Sequence, residues 1–108
     1  MAVKIYNKLV RDLIPDIIEE SGGECRTRIL SDKEYLEMID AKLDEELAEY
    51  HQDRNIEELA DLLELIQAAT VARGYTLEEL ESVRAEKAKK RGEFEKKIFL
   101  IDVTEKVN

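Results

Sequence analysis

The 108-residue sequence has little of several residue types that define common protein classes. It contains one cysteine, Cys25, so no disulfide can form within the chain, and a reducing compartment is the simpler interpretation. Its four glycines form no glycine-rich phosphate loop, which argues against a P-loop nucleotidase. No apolar stretch approaches the length of a membrane span, and the N-terminus lacks the apolar core of a signal peptide. We therefore expect a soluble cytoplasmic protein with no membrane partner.

The charge balance is strongly acidic. Asp and Glu number 26 against 17 Lys and Arg, which gives a formal net charge of −9. Such a surface repels a phosphate backbone, so we expect no nucleic-acid partner. Charged residues make up 40% of the chain and apolar residues 44%, a mixture typical of amphipathic helices. The length predicts a single domain over residues 1–108.

Local signals for helix starts and ends are unusually clear. Capping-box patterns, in which a short polar side chain is followed three residues later by Glu, mark three helix starts. Glycines that directly follow arginines mark two helix ends. The caps are Ser31, Asn55 and Thr76, and the glycines are Gly74 and Gly92.

These signals predict a mainly α fold, a helical bundle. The predicted helices cover residues 32–52, 56–73 and 77–91, with a weaker one over residues 12–21. The connection between the first two main helices is short, which predicts an antiparallel hairpin. Apolar and polar residues alternate over residues 24–30 and 97–103, and this pattern predicts two short strands that pair as a small β-ribbon.

Two pairs of carboxylates lie on or beside the faces that this hairpin would press together. Glu46 and Glu49 lie three residues apart on one helix, and Glu58 and Asp61 do so on the next. A buried, unpaired carboxylate is strongly disfavoured, and it either becomes neutral or finds a cation. Four acidic oxygen donors around one point suit a hard divalent cation, above all Mg²⁺, with Mn²⁺ as a substitute.

Simpler interpretations of the same residues stay open. Glu-x-x-Glu pairs are common on solvated helices and need no metal. Glu58 also lies three residues after Asn55, so its side chain has a rival role in a capping box.

The carboxylate motifs read Glu45-Glu46-Leu47-Ala48-Glu49 and Glu58-Leu59-Ala60-Asp61. At these residues the chain resembles the all-α NTP pyrophosphatase superfamily, the MazG-type and phosphoribosyl-ATP pyrophosphohydrolase-like proteins, whose signature is Glu-Glu-x-x-Glu followed by Glu-x-x-Asp. The segment YNKLVRDLIPDII, residues 6–18, looks like the opening of a house-cleaning branch of that superfamily. The segment KKRGEF, residues 89–94, looks like its basic C-terminal element. The interval between the carboxylate motifs, residues 50–57, is shorter than in typical MazG proteins.

The resemblance implies Mg²⁺-dependent hydrolysis of a nucleoside triphosphate between the α- and β-phosphates, giving a monophosphate and pyrophosphate. Glu46, Glu49, Glu58 and Asp61 would hold the metal, and Glu45 is the candidate for orienting or deprotonating the attacking water. The house-cleaning branch implies noncanonical nucleotides as substrates. The alternatives are a phosphoribosyl-ATP pyrophosphohydrolase and a non-catalytic helical module that binds nucleotides or dimerises.

An acidic protein that binds a polyphosphate also needs cations. Two groups share a helical face by spacing and are candidates for phosphate contact. They are Lys8 with Arg11, and Lys87 with Lys90 and Arg91. For the first group docking against the core is the alternative, and for the second it is favourable interaction with the end of a helix dipole.

The chain also has more apolar surface than three helices can bury. We expect Leu59, Leu63, Ile66 and Leu80 to stay partly exposed, which favours association of helix faces. The family resemblance implies a homodimer or a dimer of dimers, with the substrate site near a subunit interface.

Overall fold

The computed structural model describes residues 2–106 and is mainly helical, as predicted. Four helices follow one another along the chain: α1 (Ile14–Glu20), α2 (Asp32–Asp53), α3 (Ile56–Ala72) and α4 (Leu77–Arg91). Each main helix lies within one residue of its predicted bounds at both ends. None of the helices in the described part of the chain combines the length and the apolar character needed to cross a membrane.

The boundaries of α2 are set by the residues that the sequence singles out. The Ser31 hydroxyl accepts a hydrogen bond from the backbone N–H of Glu34 (3.2 Å), and the Glu34 carboxylate accepts one from the backbone N–H of Ser31 (3.3 Å), which completes a capping box. Arg54 ends the helix in the left-handed conformation, with φ of 53°. Asn55 then caps α3 directly, so two residues connect the helices.

Helices α2 and α3 pack against each other as an antiparallel hairpin. An ion pair shows the direction, because it joins the C-terminal end of α3 to the N-terminal half of α2. Nη2 of Arg73, just after α3, lies 3.3 Å from Oδ2 of Asp40. Ile39 of α2 is 1% exposed and is the one buried hydrophobic residue among residues 2–106. The remaining apolar residues on the facing sides are half-buried, except Leu47, which is exposed.

One apolar face of α3 has no cover. Four residues spaced three or four apart along it stay 43–77% exposed, and we call them the α3 stripe: Ile56, Leu59, Leu63 and Ile66. The exposure expected for Leu59, Leu63 and Ile66 is thus confirmed. Leu80, on α4, is half-buried.

The predicted β-ribbon is wrong for the described residues. Residues 24–30 and 97–103 have no regular secondary structure, and no strand occurs within residues 2–106. Alternation shows only which side chains would share a face, whereas a strand needs a neighbouring backbone to complete its hydrogen bonds. A ribbon of two short strands is marginal even when it forms.

The chain forms two compact units, one ending at Leu77 and the other beginning at Glu78. The first contains α1 and the α2–α3 hairpin. The second contains nearly all of α4 and the irregular segment after it, where Gly92 has φ of 82° and ends the helix as predicted. The single-domain interpretation stays a prediction.

Candidate metal centre

The hairpin brings together all five acidic residues of the two motifs. Carboxylate oxygens of Glu45, Glu46 and Glu49 lie within 4.8 Å of one another, and the same holds for Glu46, Glu58 and Asp61. Glu46 belongs to both groups. Residues three apart on each helix project to one side, and the antiparallel packing sets the two sides against each other. We call these five residues the acidic cluster.

Glu46 is the most buried member of the acidic cluster. It is 7% exposed, its Oε2 has no hydrogen-bond partner among the described residues, and Lys42 Nζ lies 3.6 Å from its other oxygen. Its pKa is raised to about 7: burial is the largest cause, the neighbouring carboxylates of Glu49 and Asp61 add to it, and the charge of Lys42 opposes them. A cation placed at this oxygen would oppose both effects, because it favours the ionised carboxylate.

Glu58 is in a similar position on the facing helix. It is half-buried, and its Oε2 is also buried without a hydrogen-bond partner in the described structure. Burial raises its pKa, and the negative charges of Glu49, Asp53 and Asp61 add to the effect. The rival capping role involves its backbone: Asn55 Oδ1 accepts a hydrogen bond from the Glu58 N–H at 3.0 Å. The carboxylate itself is therefore left for another partner.

Two cations from the segment before α1 contact the acidic cluster. Lys8 Nζ donates a hydrogen bond to Glu45 Oε1 at 3.0 Å, and Arg11 Nη2 donates one to Asp61 Oδ1 at 2.6 Å. Arg11 also lies 4.0 Å from Glu64. The hydrogen bond from Lys8 lowers the pKa of Glu45 and raises that of Lys8. Both predicted phosphate-binding cations of this segment thus lie at the carboxylates.

Lys42 is a participant that sequence reasoning did not assign. Its Nζ lies 3.4 Å from Glu45 and 3.6 Å from Glu46, and its side chain is 16% exposed. The signal was present in the spacing, because residues three and four apart on a helix are neighbours. Lys42 is the counter-ion that α2 itself supplies.

The other predicted phosphate contacts lie in the second unit. Lys87, Lys90 and Arg91 share one side of α4, where they line a surface pocket with Val83 and Glu86. Lys90 Nζ is 2.9 Å from the Glu86 carboxylate, so part of its charge is balanced within the helix. Their contact with phosphate stays a prediction.

The acidic cluster fits a divalent metal in its chemistry. All donors are carboxylate oxygens, which Mg²⁺ prefers, and the unpartnered oxygens of Glu46 and Glu58 are buried. Native proteins rarely leave such atoms unpaired, because an unsatisfied buried acceptor costs about 1–3 kcal/mol. These carboxylates repel one another, and a bound cation would both offset that repulsion and pair with the buried oxygens.

Comparison with known proteins adds little on function. A protein of Mycolicibacterium smegmatis, described only as uncharacterized, is 57% identical over 42 residues. The match covers 39% of this chain and 43% of that protein, so the chain spans less than half of the relative's length. No family model matches the chain, and no solved structure matches it.

Proposed function

We propose that the chain is a Mg²⁺-dependent nucleoside triphosphate pyrophosphohydrolase of the all-α NTP pyrophosphatase superfamily, acting in the cytoplasm on noncanonical nucleotides. It would hydrolyse the bond between the α- and β-phosphates and release a nucleoside monophosphate and pyrophosphate. The observation that carries the proposal is the meeting of two carboxylate pairs, from two facing helices, around the buried Glu46. Such inward-facing carboxylates are a known way to build metal sites between helices.

In this proposal Glu46, Glu49, Glu58 and Asp61 hold the metal. When bound, Mg²⁺ or its substitute Mn²⁺ supplies charge that neutralises phosphate oxygens and acidifies water. Burial of Glu46 keeps its carboxylate away from competing solvent.

Glu45 would orient the attacking water or take its proton. The hydrogen bond from Lys8 and the charge of Lys42 lower its pKa, so its carboxylate is ionised at neutral pH and accepts hydrogen bonds. It is half-buried beside the metal-binding carboxylates, where a water would lie within reach of both. A lowered pKa makes Glu45 a weak base, which favours orienting the water over taking its proton.

We also propose that two copies of the chain associate through the α3 stripe. Monomeric proteins rarely leave a continuous apolar stripe exposed, and the hairpin has little buried core of its own. A homodimer, or a dimer of dimers, would cover this face.

The decisive experiment is release of pyrophosphate from a panel of canonical and modified nucleoside triphosphates, with Mg²⁺ and with EDTA. We expect release that depends on Mg²⁺ and is abolished in Glu46→Ala and in Glu58→Ala. Glu57→Ala, which removes an exposed carboxylate beside Glu58, is the matched control and should retain activity. Turnover that persists in both cluster variants would contradict the assigned site.

The panel should include phosphoribosyl-ATP, since the same metal site serves both reactions. Preference for that substrate would instead identify the activity as that of a phosphoribosyl-ATP pyrophosphohydrolase. Absence of pyrophosphate release from every substrate, with Mg²⁺ bound, would favour the non-catalytic alternative.

A further inference from the structure

The three cations at the acidic cluster are attached in different ways. Lys42 belongs to α2, so its position is fixed by the helix that carries Glu45 and Glu46. Lys8 and Arg11 belong to residues 2–13, which contain neither helix nor strand. We call residues 2–13 the N-terminal strap. It contacts both helices, through Glu45 of α2 and Asp61 of α3.

Apolar contacts do little to hold the strap. Val3 is 84% exposed and Ile5 68%, and only Leu9 is half-buried. Within the strap, the ammonium groups of Lys4 and Lys8 lie 5.0 and 5.8 Å from the centre of the Tyr6 ring, which organises it locally without fixing it to the hairpin.

The strap is therefore held mainly by its two ion pairs. The side chains involved are 32–57% exposed, and ion pairs this open are worth about 0–1 kcal/mol each. A contact of this strength is readily exchanged for a stronger one.

A divalent cation held by the acidic cluster would compete with Arg11 for Asp61 and would repel Lys8 from the neighbouring Glu45. Asp61 Oδ1, which accepts the hydrogen bond from Arg11, also belongs to a predicted metal-binding residue, and Glu45 lies within 4.8 Å of two others. The unpartnered buried oxygen of Glu46 marks the place where positive charge is still lacking with the strap in position. Lys8 and Arg11 thus balance the negative charge of Glu45 and Asp61 but leave the buried oxygen of Glu46 without a partner.

We propose that the N-terminal strap is an exchangeable cover of the acidic cluster: Lys8 and Arg11 pair with Glu45 and Asp61 until a divalent cation bound by the cluster displaces Arg11 from Asp61, repels Lys8 and releases the strap. The inference rests on the proposed metal site and adds a regulatory contact to it. Binding of Mg²⁺ would thus uncover the acidic cluster and free the side chains of Lys8 and Arg11.

Trypsin tests the release in the unmodified full-length protein. It cleaves after Lys or Arg only when that side chain can enter its specificity pocket, so ion-paired Lys8 and Arg11 are poor sites. Limited digestion, followed by mass spectrometry, should show faster cleavage after Lys8 and Arg11 in Mg²⁺ than in NaCl of equal ionic strength. Cleavage after Lys97, in the irregular segment of the second unit, serves as the internal reference.

Calorimetric titration with Mg²⁺ alone tests the competition. Arg11→Gln should bind Mg²⁺ about two- to fivefold more tightly, the effect of losing one partly exposed competing ion pair. Arg73→Gln breaks another exposed Arg–Asp pair on the same hairpin, one that includes no residue of the acidic cluster, and should bind Mg²⁺ as the parent does. Far-UV circular dichroism establishes that each variant is folded.

The outcomes separate the inference from the function it rests on. If the parent protein does not bind Mg²⁺, both the proposed function and the strap are refuted. If Mg²⁺ binds while cleavage after Lys8 and Arg11 relative to Lys97 is unchanged, the strap alone is refuted. Unchanged or weaker Mg²⁺ binding in Arg11→Gln would likewise overturn the competition.

Discussion

Glu46 on α2 and Glu58 on α3 each bury one carboxylate oxygen, Oε2, that has no hydrogen-bond partner among the described residues. The two residues face each other across the hairpin and share Asp61 as a neighbour. Both pKa values are raised, chiefly by burial. The hairpin therefore carries acidic groups whose ionised forms it does not stabilise by itself, and this has consequences for stability as well as for metal binding.

Without metal, the free energy of unfolding should fall as the pH rises from about 4.5 to about 7. The pKa of Glu46 is about 7 in the folded protein against an ordinary value of 4.5, so the folded state binds more protons in this window than the unfolded state. By linkage, stability then decreases with increasing pH. At about 1.4 kcal/mol per pKa unit, the loss is up to about 3 kcal/mol. Urea unfolding at a series of pH values measures it.

Two comparisons assign this pH dependence to the acidic cluster. Glu46→Gln should flatten the profile, because the amide cannot ionise. Saturating Mg²⁺ should flatten it too, because a bound cation favours the carboxylate form. A profile of unchanged slope in Glu46→Gln would show that the raised pKa belongs elsewhere.

Glu58→Gln should make the metal-free protein more stable at neutral pH while weakening its metal binding. The substitution keeps the size of the side chain and removes a charge that lies close to Glu49 and Asp61. Removing a residue that hydrogen-bonds to a metal ligand typically lowers metal affinity about 10- to 100-fold. Loss of a proposed ligand itself should lower Mg²⁺ affinity by at least that much. Thermal unfolding and calorimetric titration measure the two effects.

Glu57→Gln is the matched control for Glu58→Gln. Glu57 is exposed in the same first turn of α3, so both variants lose the same charge near the same helix N-terminus. We expect Glu57→Gln to leave Mg²⁺ affinity unchanged. Equal losses of affinity in the two variants would mean that Mg²⁺ responds to the overall charge of α3 and not to a defined site.

Local chemistry determined how much of the fold could be predicted. The helix bounds followed from single residues, such as Ser31 and Gly92, whose effect reaches only a few positions along the chain. The β-ribbon failed because strand pairing depends on a distant backbone, which residues 24–30 do not encode. Periodicity alone could not supply that partner.

The sequence predicted which acidic residues come together, but not how deeply each is buried or which cations contact them. Spacing correctly placed Glu46 and Glu58 on or beside the packed faces, but it did not show which of the two is more buried. The structure buries Glu46 more than Glu58, which lies in the first turn of α3, next to the two-residue connection. The contact of Arg11 with Asp61 joins segments 50 residues apart, which no local pattern reports.

Ser31→Ala tests the start of α2. The substitution removes the hydroxyl that accepts a hydrogen bond from the Glu34 N–H, and loss of such a cap typically costs about 0.5–2 kcal/mol. Glu34 would keep its two hydrogen bonds from Arg28, at 2.7 and 3.2 Å, so the helix should fray at its first turn without unfolding. Urea unfolding gives the loss, and Ser31→Asp, which can still cap, should recover most of it. A stability equal to that of the parent in Ser31→Ala would show that the cap contributes nothing measurable.

The α3 stripe gives the last prediction, which concerns association. If two copies cover it, light scattering should report a dimer or a larger symmetric assembly, and Leu63→Glu should shift the protein towards monomer by placing a charge within the stripe. Val71→Glu is the matched control: Val71 is exposed to a similar degree, 59% against 55% for Leu63, but lies outside the stripe on the same helix. The same added charge should leave the assembly intact there. A parent protein that is monomeric at all concentrations measured would remove the dimer from the proposed function, whereas equal dissociation by both variants would place the interface on a broader part of α3.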